Sequence, residues 1–201
     1  MKMYGMVHVW FQVILTDKMR REILITFFLI VSGLSKAQHN KNLQKSIFNV
    51  QLGTVGLWFN NEARIADSFA LRSEIGVYTE IISGTGFFMA PEITLEPRWY
   101  YNIGKRNKNK FDIKNNAANF FTVKLNYRSN IFEISNLSFD RAEQSFAILP
   151  KWGIRRNINK NFSYEIGLGI GYIGTINQQN INFNKSEIIV DSHIRIGYTF
   201  R

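Results

Sequence analysis

The sequence predicts an all-β protein: a closed, antiparallel, up-and-down β-barrel of the transmembrane kind, with eight strands. Three observations lead there. Apolar and polar residues alternate with a period of two along most of the chain. The alternating segments are about long enough to cross a bilayer as tilted strands. A segment with the three parts of a secretion signal precedes them.

Composition narrows the class further. The chain is 45% hydrophobic and 20% charged, which suits one ordered domain and argues against a disordered chain. It has no cysteine, so disulfide frameworks, thiolate metal sites and cysteine nucleophiles are excluded. The net charge is +10, of which residues 1–37 carry +3 and the remainder +7. Nucleic acid is not the expected partner, because the basic residues mostly alternate with apolar ones and form no single patch. For an exported protein the nearer polyanions are lipopolysaccharide phosphates and acidic glycans.

The chain is read in four parts. From Met19, two arginines are followed by the apolar run Ile23 to Leu34 and then by Ser35-Lys36-Ala37, so residues 19–37 are expected to be a signal peptide cleaved before Gln38. The run is short for a membrane-spanning helix of about 20 residues. Because that segment already has its own methionine, residues 1–18 are expected to be an annotation extension. Residues 38–46 form a polar lead, and 47–201 form the barrel.

The strands follow in order. Phe48, Val50, Leu52 and Trp58 alternate with Asn49, Gln51 and Gly53, and a turn is expected at Asn60-Asn61-Glu62. Next, Phe69, Leu71, Ile75 and Val77 oppose Arg72, Glu74, Gly76, Tyr78 and Glu80. After a turn at Ser83 to Gly86, Ile93, Leu95, Pro97, Trp99 and Tyr101 oppose Glu92, Thr94, Glu96, Arg98 and Tyr100. Residues 103–118 are basic and amide-rich and read as a solvated loop. The pattern resumes with Phe121, Val123, Leu125 and Tyr127, and again with Phe146, Ile148, Pro150, Trp152 and Ile154. A turn at Asn157 to Asn161 leads to Tyr164, Ile166, Leu168, Ile170 and Tyr172, set against Ser163, Glu165, Gly167, Gly169 and Gly171. A polar loop, Asn177 to Lys185, precedes the final strand, Glu187 to Phe200. That makes seven strands. Bacterial single-chain barrels have an even number, so an eighth is expected near Ile131 or in the N-terminal lead. Pro97 and Pro150 each remove a ladder donor, so bulges or irregular pairing are expected beside them.

Side-chain size assigns the faces. The apolar face is crowded with Phe, Trp, Tyr, Ile and Leu, whereas the polar face mixes charges with Gly76, Gly153, Gly167, Gly169, Gly171 and Gly197. An eight-stranded interior is only just wide enough for side chains to fill, so the small and charged face is the inner one. A lumen-facing polar network is expected from Arg72, Glu74, Glu92, Glu96, Arg98, Lys124, Arg155, Glu165, Asp191, His193 and Arg195. Membrane-interface aromatics are expected at Trp58, Trp99, Tyr101, Tyr127, Tyr172, Tyr198 and Phe200.

The signal ending Lys36-Ala37-Gln38, Leu71-Arg-Ser-Glu-Ile-Gly76, the run Ile93 to Asn102, Trp152-Gly-Ile-Arg-Arg-Asn157 and Ile194-Arg-Ile-Gly-Tyr-Thr-Phe200 resemble the small outer-membrane β-barrel proteins of Bacteroidota. The likeness covers most of residues 47–200. It implies an outer-membrane location and a monomeric barrel among lipid and lipopolysaccharide. It also implies a terminal strand similar to the signal read by the barrel assembly machinery, here followed by Arg201. It implies little chemistry.

Two motifs in the sequence carry a chemical suggestion of their own. Gly169-Ile-Gly171-Tyr-Ile-Gly174 has the spacing of a dinucleotide fingerprint, but the glycines sit inside an alternating strand rather than at a helix start, so no nucleotide cofactor is expected. Asp191-Ser192-His193 suggests a hydrolase, yet Ser192 and His193 point to opposite faces of a strand. Asp191 and His193 share the polar face with Ser163 and Glu165 of the preceding strand, which leaves a lumenal constellation open. With three histidines in the chain, no metal site is expected. The expected role is therefore structural, adhesive or small-solute handling without catalysis; the alternatives are a deacylase-like lipid-modifying enzyme or a narrow channel.

Overall fold

The structure, a computed structural model, describes residues 42–82, 86–136, 144–176 and 183–200. The extension, the signal segment and most of the polar lead lie outside the described residues, as do the centres of the turn after Ile82 and of the loop before the last strand.

Nine strands are described: β1 (Ser46–Gly53), β2 (Gly56–Ala66), β3 (Phe69–Ile82), β4 (Gly86–Trp99), β5 (Asn119–Arg128), β6 (Ile134–Ser135), β7 (Ser145–Asn157), β8 (Phe162–Ile176) and β9 (Phe183–Phe200). Each long strand pairs antiparallel with the next, and the sheet closes where β1 meets β9, from Phe48 opposite Phe200 to Gly53 opposite Arg195. The result is an eight-stranded closed barrel, as the alternation predicts. β6 is an extra two-residue strand beside β4, with Met89 opposite Ile134.

The eighth barrel strand is neither the stretch near Ile131 nor the lead. It is β2, hidden in the segment read as one strand. The chain reverses at Thr54-Val55, with Gly53 opposite Gly56, and Asn60 and Asn61 lie in mid-strand. Both asparagines favour turns, but here their amides have partners on each side of the sheet. Asn49 donates to Asn60 in the lumen at 3.2 Å, and Asn61 donates to Ser46 Oγ at 2.8 Å. The reversal also flips the phase, because partners across it run Leu52 with Leu57 and Gln51 with Trp58. Trp58 therefore points inward.

Residues 103–118 are not simply a solvated loop. They fold into a short helix α1 (Ile103–Lys108) and a 3-10 turn (Lys114–Asn116) that close the barrel end carrying the termini. Leu43 from the lead joins Ala70, Tyr100, Ile103, Ala118 and Phe120 in a small apolar cluster there.

Both prolines interrupt the ladder on one side without shifting register. β4–β5 pairing skips from Leu95 to Arg98, and β7–β8 pairing skips from Ile148 to Lys151. Pro97 keeps its carbonyl occupied by the Thr122 hydroxyl at 2.9 Å. The register shifts lie elsewhere, between Arg64 and Ala66 and between Thr175 and Ile176.

The distribution of side chains is inverted relative to a water-soluble core. Among the described residues, 24 buried residues are polar or charged and 12 are hydrophobic, while 33 large hydrophobic side chains are exposed. Among the described residues no helix is long and apolar enough to cross a membrane, which says nothing about a barrel.

Candidate functional site: the lumen

Glycines make the lumen wide enough for large polar side chains. Five of them face a bulky inward residue directly across the ladder: Gly76 faces Trp58, Gly153 faces Phe120, Gly167 faces His193, Gly169 faces Lys151 and Gly197 faces Gln51. A Cβ at Gly76 would lie 2.2 Å from the Trp58 ring, and one at Gly167 would lie 2.4 Å from the His193 ring. Gly169 of the G-x-G-x-x-G run is part of this device.

The lumen nearer the termini is organised on Glu165 of β8. Arg98 reaches both its oxygens at 2.9 Å, Arg72 reaches both at 3.2 Å, and Arg155 donates to Oε2 through Nε at 2.9 Å and Nη2 at 2.8 Å. Each guanidinium has a second carboxylate: Arg72 binds Glu74, Arg98 binds Glu96 through Nε at 2.8 Å, and Arg155 binds Glu62 at 3.0 Å. Glu62 also accepts from the Tyr100 hydroxyl at 2.8 Å and from the Asn116 amide at 2.6 Å, which ties the plug to the network. Arg195 donates to Glu74 at 2.8 Å and lies flat on Trp58, 3.8 Å from the ring centroid. These groups are all buried. Charges this far from water are costly unless paired, and every guanidinium and carboxylate named here has an oppositely charged partner.

The upper lumen is looser. Asp191 bridges Lys124 at 3.0 Å and Lys151 at 2.8 Å, and its side chain keeps 18% exposure. Lys151 Nζ also lies 2.8 Å from His193 Nδ1. An ammonium has no lone pair, so Nδ1 accepts and the imidazole carries its proton on Nε2. That nitrogen is 3.4 Å from Glu165 Oε1. Glu92 takes one bond from Trp58 Nε1 at 2.5 Å and another from Asn126 at 3.1 Å.

All eleven residues expected in the lumen are there, and the register brings them together. The sequence concealed the lumen positions of Glu62 and Trp58, which follow from the unseen β1–β2 hairpin; the alternation of Leu57, Phe59 and Ile65 against Trp58, Asn60 and Glu62 was the available signal, and Gln51 was already legible on the polar face of β1. Lys151 was visible on the polar face of its strand. Asn116 was not, because a loop has no period.

Trp58, expected at the membrane interface, is 2% exposed and lies in the lumen. The other six aromatics stand on the outer surface. Trp99 and Tyr101 form a cluster with Phe69 and Phe121 near the termini, with ring centroids 5.3–6.3 Å apart. Tyr198 packs edge-on against both Phe162 and Phe200 at 5.3 Å. Tyr127 and Tyr172 lie toward the opposite end of their strands. Ser192 is exposed on the outer face while His193 is buried, as alternation requires. Among the described residues no group of three or more His, Asp or Glu is placed to hold a metal ion.

Fold and lumen together define a small barrel with an ion-paired interior. Comparison with protein-family models, curated proteins and solved structures finds no match.

Proposed function

We propose that the protein is an integral outer-membrane β-barrel, a monomer with a closed lumen whose role is structural or surface-presenting rather than conductive or catalytic. The observation that carries this reading is the inverted distribution of side chains. Soluble monomers rarely expose apolar patches beyond a few hundred Å², whereas here the exposed apolar residues run around the barrel on every strand. The aromatic spacing supports it. Tyr164 to Tyr172 spans about 27 Å of strand at roughly 3.4 Å per residue, or about 20 Å along the axis at a tilt of about 40°. That is close to the apolar band of about 25 Å in outer-membrane barrels. The signal segment and the family likeness support export. The termini and the α1 plug then face the periplasm, outer-membrane lipid and lipopolysaccharide surround the wall, and β9 engages the assembly machinery during insertion.

A closed lumen follows from charge balance. Six buried cations, Arg72, Arg98, Lys124, Lys151, Arg155 and Arg195, share the carboxylates of Glu62, Glu74, Glu96, Glu165 and Asp191 or border them, while Glu92 is held by the neutral donors Trp58 and Asn126.

The test is heat-modifiability with fractionation. The unboiled protein from the outer-membrane fraction is expected to migrate differently from the boiled one, and planar bilayers are expected to show no conductance steps. A soluble, unshifted protein overturns the reading. The catalytic alternative requires that His193→Ala change lipid A acylation; an unchanged profile is expected.

A further inference from the structure

The ion-paired network fills the lumen from the terminal end to about its middle. Above it, toward the opposite end, is a cup of about 270 Å³, a volume equal to about nine water molecules at roughly 30 Å³ each. Its two sides differ in chemistry. On the side of β7, β8 and β9, Ala147, Leu149, Ile173 and Ile189 form an apolar strip beside Asp191, His193 and Arg195. The facing side, from β3, β4 and β5, carries Arg128, with its guanidinium 3.7 Å above the centroid of the Tyr78 ring.

Arg128 differs from the other lumen cations. Among the described residues it makes no ion pair, and its Nε is buried without a hydrogen-bond partner. Its cross-strand neighbour Glu92 makes no ion pair with it and turns its oxygens to Trp58 and Asn126 instead. Arg195, whose Nε is likewise buried without a hydrogen-bond partner, also lines the cup. Stacking on an aromatic face leaves the edge of a guanidinium free to bind a planar oxyanion in two-pronged fashion.

We propose that this cup binds a small amphiphilic monocarboxylate, with its carboxylate on Arg128 and its aliphatic body against Leu149, Ile173 and Ile189. Glu92 and Asp191 border the same space beside Lys124, Arg128 and Arg195, so the lining carries one surplus positive charge, which a monocarboxylate neutralises and a dianion such as phosphate exceeds. A concave site with an apolar wall and a few placed polar groups is the general form of small-molecule sites. The cup requires only the fold, so the proposal stands or falls separately from the membrane placement.

The experiment is an NMR titration of the detergent-folded full-length protein, labelled at isoleucine methyls, with 4-methylpentanoate, 4-methylpentanamide and inorganic phosphate. Saturable shifts at Ile173 and Ile189 are expected with the acid. Binding is expected to be at least tenfold weaker with the amide, and phosphate is expected to leave both methyls unmoved. Arg128→Gln is expected to weaken the acid at least tenfold. Ala147→Leu, which fills the apolar side, is expected to abolish the shifts while heat-modifiability is retained. Absence of saturable shifts with the acid overturns the proposal, and so does equal binding of acid and amide or an Arg128→Gln variant that binds as well as the parent.

Discussion

The two halves of the lumen are built from similar residue types yet solve different problems. Near the termini, three arginines converge on Glu165, each with a second carboxylate, under a plug that supplies Tyr100 and Asn116. Away from the termini, two lysines share Asp191, a guanidinium rests on Tyr78 without a counter-ion, and a cup remains open. The difference lies in donor geometry. Guanidinium forks present five donors in a fixed plane and can serve two carboxylates at once without water. Lysine is a compact and strongly hydrated charge, suited to a region that keeps some exposure. One half is therefore densely ion-paired and the other keeps an open cup.

Breaking the densely paired half gives the largest expected effect. Glu165→Ala leaves three buried guanidinium groups short of a carboxylate, and a loss of about 3–5 kcal/mol is expected from removing one partner of a buried ion network, read as a lower denaturant midpoint for loss of the heat-modifiable form. The wall comes next. Ile170→Arg, on the outer face of β8, is expected to destabilise the bilayer-inserted barrel by about 2–4 kcal/mol if it lies near the midplane. In a barrel surrounded by water the same change would stay within about 0.5 kcal/mol, so refolding into vesicles separates the two environments. Asp191→Asn in the upper half is expected to lose about 1.5–3 kcal/mol, the range for hydrogen bonds to charged groups, in the same denaturant assay. Arg128→Gln, which removes the stack on Tyr78, is expected to lose about 0.5–1 kcal/mol. Equal losses for Glu165→Ala and Asp191→Asn would show that the two halves do not differ as described.

The same division explains what could be read from the chain. Alternation is a local property, so the faces of β3, β4, β5, β7, β8 and β9 were legible residue by residue, Arg72 and Arg98 inward and Leu71 and Trp99 outward. It failed at Asn60-Asn61, where turn-forming side chains are held in mid-strand by partners from β1. That one misreading displaced Trp58 and concealed Glu62. The plug was illegible for another reason. Lys105, Arg106 and Lys108 make its sequence look solvated, and Asn115 and Asn116 are buried only because the barrel end lies beneath them.

Residue chemistry and order along the chain were enough to specify strands, an eight-stranded barrel, an interior of small and charged side chains and an exterior of bulky apolar ones. A two-residue period and side-chain volume are properties each segment carries alone. Pairings inside the lumen are of another kind. Glu165 meets Arg72 across 93 positions of sequence, and Arg195 meets Glu74 across 121. Those partners are chosen by register and by closure of β1 on β9. The dense pairing at one end and the cup at the other therefore became visible only once the barrel was closed.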